Sequence, residues 1–303
     1  MNAYMNKNGV KLLAVIAVLA MAVCAFAVMT PAVDATDAEP EKELPQANSG
    51  VYKLTAKAYG TSDAPISIDA DPGDVSFALD GIESSTVFLT YKATSSALDL
   101  FSEGKLTVTG AITIYITVTG DGTTTARALH NMDVELTGGA TLVLTSGEGV
   151  QSQIWWNETD KTLTLGTEDD ATDSGKLVLD SAGGFSSVNA NLYGKSSIVA
   201  KNTGFAAMNF KNLNVAESAS VEIADGTQTY INLTGAAVNN GSIDAGASKI
   251  NMANGATLNN TETGKVNASQ ITGTIESTAI TNAGELNAKM QLTNDAGEVT
   301  YLS

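Results

Sequence analysis

The feature that most constrains this chain is the short, regular spacing of single apolar residues in its C-terminal part. From residue 236 onward, aliphatic residues recur mostly at gaps of four to eight residues, separated by Gly, Asn and Thr. Gly241, Gly264 and Gly284 mark a longer period, with steps of 23 and 20 residues. Hairpins built from strands of about 5–6 residues need more chain than such gaps provide. The two spacings together indicate several short strands in each unit of about twenty residues.

Alternating apolar and polar residues continue upstream and predict strands throughout the body of the chain. Clear examples are "KLTVTGAITIYITVTG" (105–120), "MDVELTGGATLVLTS" (132–146) and "GKLVLDS" (175–181). A period of two in β-branched residues is typical of half-buried strands. Outside the N-terminal apolar segment, no window carries the i, i+3, i+4, i+7 stripe of an amphipathic helix. The sequence therefore predicts an all-β protein.

Short strands with a repeat of about twenty residues predict a parallel β-solenoid, in which each turn stacks on its neighbour. One aliphatic residue of each short run points into a narrow core, the next residue points outward, and Gly or Asn turns the corner. Asn side chains at equivalent corners are expected to stack from turn to turn and to satisfy each other's amides. We expect roughly ten turns over residues 65–295, each rising about 4.8 Å. The alternative is two smaller β units divided near Gly138, the first of them a sandwich.

Several short segments have the composition and spacing expected of stacked solenoid turns, which are also called rungs. They are "GGATLVLTSGEG" (138–149), "DGTQTYINLTG" (225–235), "NGATLNN" (254–260) and "NAGELNA" (282–288). They resemble rungs of the adhesin-like parallel β-helix surface proteins of bacteria and archaea. The segment "GDVSFALDGIESS" (73–85) is similar to rungs of carbohydrate-binding β-helical modules. The resemblance implies a right-handed parallel β-helix of the pectin-lyase-like kind, a surface location and a binding or structural role. It carries over no catalytic residue.

The N-terminus indicates export. Two lysines precede the uncharged apolar segment 12–29, which contains an Ala-Phe-Ala pattern suited to cleavage. We expect residues 1–29 to be a signal peptide. A retained membrane anchor is the alternative, because the apolar run is near the lower limit for crossing a bilayer. Residues 30–50 are expected to form a flexible acidic stalk and residues 51–303 the solenoid body.

The charge pattern argues against partners that are bound through phosphates. The whole chain carries a net charge of −17, and removal of residues 1–29 leaves 14 bases against 33 acids, or −19. Such a surface repels nucleic acids and anionic lipids. We therefore expect no nucleic-acid partner, and membrane contact only through a retained N-terminal segment. The single cysteine, Cys24, lies in the predicted signal peptide, so the exported part has no disulfide.

The sequence predicts no enzymatic activity, although polysaccharide lyases and hydrolases use this fold. The only arginine and the only histidine, Arg127 and His130, are three residues apart. On a regular strand that spacing places them on opposite faces, where they cannot act as a pair. The only Asp-Asp pair, Asp169-Asp170, lies in a loop, whereas a hydrolase needs carboxylates that converge on one face.

The adjacent residues Trp155 and Trp156, the only tryptophans, form the candidate ligand-binding feature. In a strand, one indole faces inward and the other outward. An outward indole beside Asn157 is suited to stacking on a sugar ring. The alternative is that one indole fills the core and the other covers a loop or a coil edge.

The loop "GTEDDATDSG" (166–175) is the candidate calcium site. Glu168, Asp169, Asp170 and Asp173 offer hard oxygen ligands within six residues. The alternative is a charged turn between two strands. We expect no other cofactor.

These observations favour a secreted, cell-surface structural or adhesin-like protein, whose solenoid displays a polar acidic surface. Its expected partners are surface glycans, other cells or further copies of itself. A carbohydrate-binding module anchored by Trp155 or Trp156 is the alternative. Repetition with a single tryptophan pair favours the structural class, since a sugar groove usually has several aromatic residues along one face. Sequons for N-glycosylation occur at Asn157, Asn232, Asn240, Asn259 and Asn267.

Overall fold

The computed structural model describes residues 39–121, 125–147, 150–156, 160–180, 184–201, 206–224, 229–274, 278–293 and 299–302. The predicted signal peptide and residues 30–38 of the predicted stalk lie outside this part of the chain. Pro40–Ser303 forms one compact unit. All regular elements among the described residues are β-strands. No helix there has the length and apolar character that a membrane span requires.

The described residues form 28 strands, which we number in chain order. They are β1 (Val51–Leu54), β2 (Ala58–Tyr59), β3 (Ile66–Ile68), β4 (Asp71–Pro72), β5 (Val75–Leu79), β6 (Ser84–Thr94), β7 (Asp99–Ser102), β8 (Lys105–Thr109), β9 (Ala111–Asp121), β10 (Thr125–His130), β11 (Asp133–Thr137), β12 (Ala140–Ser146), β13 (Gln151–Trp155), β14 (Thr162–Leu165), β15 (Gly175–Asp180), β16 (Gly184–Leu192), β17 (Ser197–Lys201), β18 (Ala206–Val215), β19 (Ser220–Ile223), β20 (Thr229–Leu233), β21 (Ala236–Asn239), β22 (Ser242–Asp244), β23 (Lys249–Met252), β24 (Thr257–Asn260), β25 (Lys265–Thr274), β26 (Ala279–Asn282), β27 (Glu285–Thr293) and β28 (Val299–Leu302).

Strands β1 to β27 stack in parallel on three faces of a β-solenoid. In stacking order from the N-terminal end, face A starts with β1, β5, β8, β11 and β14, and it ends with β21, β24 and β26. Face B starts with β2 and β3, which both pair with β6, and continues with β9 and β12. It ends with β22, β25 and β27. Face C begins β4, β7, β10, β13 and passes through β20 and β23. Strands β16, β18, β25 and β27 continue from one face to the next.

The stack has about nine turns, and one continuous series of pairings runs through it. The division near Gly138 is therefore wrong, because β11 pairs with both β8 and β14 across that region. Side-chain hydrogen bonds between neighbouring turns span 28 residues at Thr137 and Thr109, but 20 residues at Asn287 and Asn267. The longer N-terminal turns explain why the number of turns falls below the roughly ten expected. The handedness of the coil stays a prediction.

Alternation within each strand builds one narrow core. In β6 and β9, the buried side chains are those of every second residue, among them Val87, Leu89, Ile114 and Ile116. Burying a Val, Leu, Ile or Phe side chain contributes about 1.5–3 kcal/mol relative to leaving it exposed. The parallel register repeats this inward set in each turn, so apolar side chains stack on equivalent side chains of the next turn.

Asparagines replace aliphatic residues at one position of the C-terminal turns, where Asn239 and Asn260 are buried and Asn282 is exposed. Asn239 Nδ2 donates to Asn260 Oδ1 at 2.7 Å, and Asn260 Nδ2 donates to Asn282 Oδ1 at 2.7 Å. We call these three residues the core amide ladder, and it confirms the expected stacking of Asn side chains. Asn239 Oδ1 is buried without a hydrogen-bond donor. The reason is that Val215, which pairs with Asn239 in the preceding turn, has no N–H in its side chain.

The glycine period read from the sequence corresponds to the turn of the solenoid. Lys265 N donates to Gly241 O at 2.8 Å, and the next turn repeats this bond one glycine later, at Gly264. A Cβ atom on Gly284 would lie 2.2 Å from the carbonyl oxygens of Gly264 and Thr261. A larger residue at this corner would collide with backbone, which accounts for the glycine.

One detail of the expected inward pattern is wrong. Val238 is an outward residue, 36% exposed, while its neighbours Ala237 and Asn239 face the core. Strand β21 therefore places the side chain of Val238 on the surface, because Asn239 of the core amide ladder occupies the inward position next to it.

The two ends of the solenoid differ. At the N-terminal end, Glu41 pairs with Tyr59 and Leu44 packs against the core. At the C-terminal end, β28 pairs with β27 in the antiparallel sense, whereas the other named strand pairs are parallel. No pattern in the sequence predicted this closing strand. The boundary between stalk and body stays a prediction.

Candidate functional site

The two tryptophans separate as their adjacency predicted. Trp156 is 1% exposed and belongs to the core, whereas Trp155, at the end of β13, is 37% exposed on face C. Trp156 Nε1 is buried without a hydrogen-bond partner, so its contribution to folding comes from packing. Asn157 lies outside the described residues. Trp155 is thus the exposed indole of the pair.

A β-bulge overturns the expectation that Arg127 and His130 face opposite ways. The pairing of β10 with β13 shifts register between Arg127 and Leu129. Ala128 and Leu129 are consecutive buried residues there. The extra inward residue changes the alternation and brings Arg127 and His130 to the same outer face. The only arginine and the only histidine of the chain therefore lie together.

Asp99 of β7, one turn earlier, joins these two side chains. Arg127 Nε donates to Asp99 Oδ1, and Arg127 Nη2 donates to Asp99 Oδ2 at 3.2 Å. His130 Nδ1 lies 3.0 Å from Asp99 Oδ2, and His130 Nε2 lies 3.5 Å from Arg127 Nη1. With a proton on Nδ1, neutral His130 donates to Asp99 and accepts from Arg127. The three groups form a network that fixes the orientation of the imidazole.

The network lies directly beside the exposed indole. Trp155 pairs with His130 on one side and with Ser186 on the other in the parallel register of face C. We call Asp99, Arg127, His130, Trp155 and Ser186 the Trp155 patch. It combines an aromatic surface with polar groups held in place by the backbone register. That combination suits stacking on a sugar ring, with hydrogen bonds to its hydroxyl groups.

Farther along face C, an outer amide ladder continues the polar surface. Asn232 Nδ2 donates to Asn209 Oδ1, and Asn251 Nδ2 donates to Asn232 Oδ1 at 2.8 Å. Thr272 Oγ1 then donates to Asn251 Oδ1 at 2.8 Å. Each amide bridges two turns, so the ladder stabilises the stack and also presents a regular polar surface.

The acidic loop 166–175 uses two of its carboxylates to organise itself. Asp170 Oδ1 accepts hydrogen bonds from Thr172 Oγ1 at 2.7 Å and Thr172 N at 2.8 Å. The Thr172 hydroxyl lowers the pKa of Asp170 through that hydrogen bond. Asp173 accepts from Gly138 N at 2.6 Å and from Thr167 Oγ1 at 2.6 Å. These contacts support the charged turn, whose carboxylates accept hydrogen bonds from their own loop and from Gly138.

Glu168 and Asp169 complete the predicted calcium set. Both lie in the same loop and are exposed. Within the described ranges, no three His, Cys, Asp or Glu side chains are grouped so that they could hold a metal ion. The four carboxylates are close in sequence, and the calcium site stays a prediction.

A groove of about 450 Å³ lies at the N-terminal end of the solenoid. Tyr52 and Phe77 stack in it with ring centroids 5.0 Å apart, and Glu43, Asp69 and Asp71 also line it. Burial, and then the nearby Asp71 carboxylate, raises the pKa of Tyr52. No motif in the sequence indicated this groove, because residues from the segment before β1 and from several strands build it.

No protein-family model, curated protein or solved structure matches this chain. The stacked fold and the Trp155 patch are therefore the basis on which its function is argued.

Proposed function

We propose that this chain is an exported cell-surface structural protein of the adhesin-like class, in which a rigid β-solenoid displays a polar acidic surface. The observation that carries the proposal is the uninterrupted stack of about nine turns over a single core. Such a stack supplies stiffness and a regular surface. The expected N-terminal signal and the net charge of −17 support a solvated location outside the cell.

Surface labelling tests this proposal. An antibody raised against the folded protein is applied to intact cells of the source organism and, separately, to lysed cells. We expect labelling of intact cells and loss of that signal after mild protease treatment of the cell surface. Labelling that requires lysis would contradict the proposal. A cytoplasmic protein probed in parallel controls for leakage.

A second candidate, carbohydrate binding, is favoured by one specific observation. Trp155 is the exposed member of the tryptophan pair and is flanked in register by His130 and Ser186. In this function the indole stacks on a sugar ring, and neighbouring polar groups orient the sugar hydroxyls.

A glycan array separates the two candidates. We expect the variant Trp155→Ala to lose any specific glycan signal, since stacking on an aromatic side chain cannot be replaced by a methyl group. Val238→Ala is the matched control, because Val238 has a similar exposed fraction of 36% on face A. Equal binding by both variants, with or without calcium, would reject Trp155 as the anchor. Absence of any glycan signal would leave the structural role standing.

A further inference from the structure

In two of the glycosylation sequons, the side-chain amide of the asparagine already makes hydrogen bonds to residues of neighbouring turns. Asn232 Nδ2 donates to Asn209, while its Oδ1 accepts from Asn251 at 2.8 Å. Asn267 Nδ2 donates to Asp244 Oδ1 at 2.8 Å, while its Oδ1 accepts from Asn287 Nδ2 at 3.1 Å. A glycan attaches to Nδ2 and needs space around it. Neighbouring strands are only about 4.8 Å apart, so a sugar at either amide disrupts the contact between turns.

In a third sequon, the side-chain oxygen of the asparagine also accepts a hydrogen bond from a neighbouring turn. Asn240 is half-buried in a turn, and its Oδ1 accepts from Thr261 Oγ1 at 2.9 Å. This bond holds the Asn240 side chain against the next turn.

Asn259 differs from these three residues. It is an exposed outward residue of β24, and its side chain has no hydrogen bond to another described residue. It pairs with Val238 in the preceding turn and with Thr281 in the following turn. Val238 is one of three large apolar residues that are exposed among the described residues. A sugar on Asn259 would therefore extend into solvent and cover apolar surface next to it.

We propose that Asn259 is the N-glycan attachment site among the four sequons that the structure describes, Asn232, Asn240, Asn259 and Asn267. The proposal rests on the proposed export, because N-linked glycans are added to exported chains. The donor is a lipid-linked oligosaccharide. A bond forms between Asn259 Nδ2 and the anomeric carbon of the first sugar, and the bond from that carbon to the lipid phosphate breaks. The amide loses one proton, and the phosphate leaves with the bonding electrons.

The test places the full chain behind a host export signal in an N-glycosylating secretory host. Peptide mapping of the secreted, folded protein is expected to find the glycan at Asn259 and unmodified amides at Asn232 and Asn267. With Asn157→Gln present in every variant, Asn259→Gln abolishes the mobility shift that a glycosidase reverses. Asn267→Gln is the matched control and retains that shift.

Two results would overturn the proposal. One is an unmodified Asn259 in secreted protein when a reporter sequon in the same host is occupied. The other is a glycan on Asn232 or Asn267 in secreted protein with native circular dichroism. Because the host signal directs export, failure of the chain's own leader would count against the proposed surface location and leave the result at Asn259 unaffected.

Discussion

Replacing Trp156 by alanine is expected to lower the free energy of unfolding by about 3–5 kcal/mol. The indole is 1% exposed, so its removal leaves a large cavity in a core that stacks turn on turn. Urea unfolding followed by circular dichroism measures the change. The same substitution at Trp155, the adjacent and 37% exposed residue, is the matched control and is expected to cost less than about 1 kcal/mol. Equal losses for the two variants would contradict the placement of these side chains.

Replacing Asn260 by leucine is expected to cost about 2–4 kcal/mol. Asn260 is fully buried, and its amide accepts from Asn239 and donates to Asn282 and to the carbonyl oxygen of Glu285 at 3.0 Å. Leucine has a similar volume but leaves polar groups of the neighbouring turns without their partner. The shift in the urea midpoint, at an unchanged slope, reports this cost.

The neighbouring residue supplies the control for the core amide ladder. Asn259→Leu introduces the same chemical change at an exposed position one residue away, and its expected effect lies within about 0.5 kcal/mol. If Asn260→Leu is as well tolerated as Asn259→Leu, the ladder does not stabilise the stack in the way described.

The class of fold was predictable because the physical signal repeats. Each turn needs a few apolar residues that face the core and a tight corner between strands. Because a glycine occupies the same corner in successive turns, the spacing of Gly241, Gly264 and Gly284 gives the length of the C-terminal turns. The N-terminal turns are longer, as the 31-residue separation of the bonded pair Lys105 and Asp74 illustrates, and their period was not readable in the same way. Insertions between strands alter the repeat without altering the stacked core.

The composition of the Trp155 patch was only partly predictable. Alternation of adjacent residues is enough to place one tryptophan outward, and that part of the prediction is confirmed. Arg127 and His130 were assigned to opposite faces because a bulge is a local change of register that simple alternation does not include. Asp99 was missed because it is 28 residues from Arg127, and this separation becomes meaningful only once the turn length is known.

The row of outward residues on face A gives the most direct test of the stacked architecture. One residue per turn contributes to it, in the order Ser76, Thr107, Glu135, Thr164, Asn191, Asn214, Val238, Asn259 and Thr281. Labels on this row point in the same direction, so the distance between two labels depends mainly on the number of turns between them. Cys24 is the only native cysteine, and Cys24→Ser leaves the chain free for labelling at chosen positions.

Electron–electron distance measurements between pairs of spin labels on that row test the central claim. The pair Thr107→Cys and Asn259→Cys spans six turns, and the pair Ser76→Cys and Thr281→Cys spans eight. A parallel stack with a rise of about 4.8 Å per turn predicts narrow distributions centred near about 29 Å and about 38 Å. Distances that do not increase in proportion to the number of turns, or a broad distribution for either pair, would contradict a single rigid solenoid.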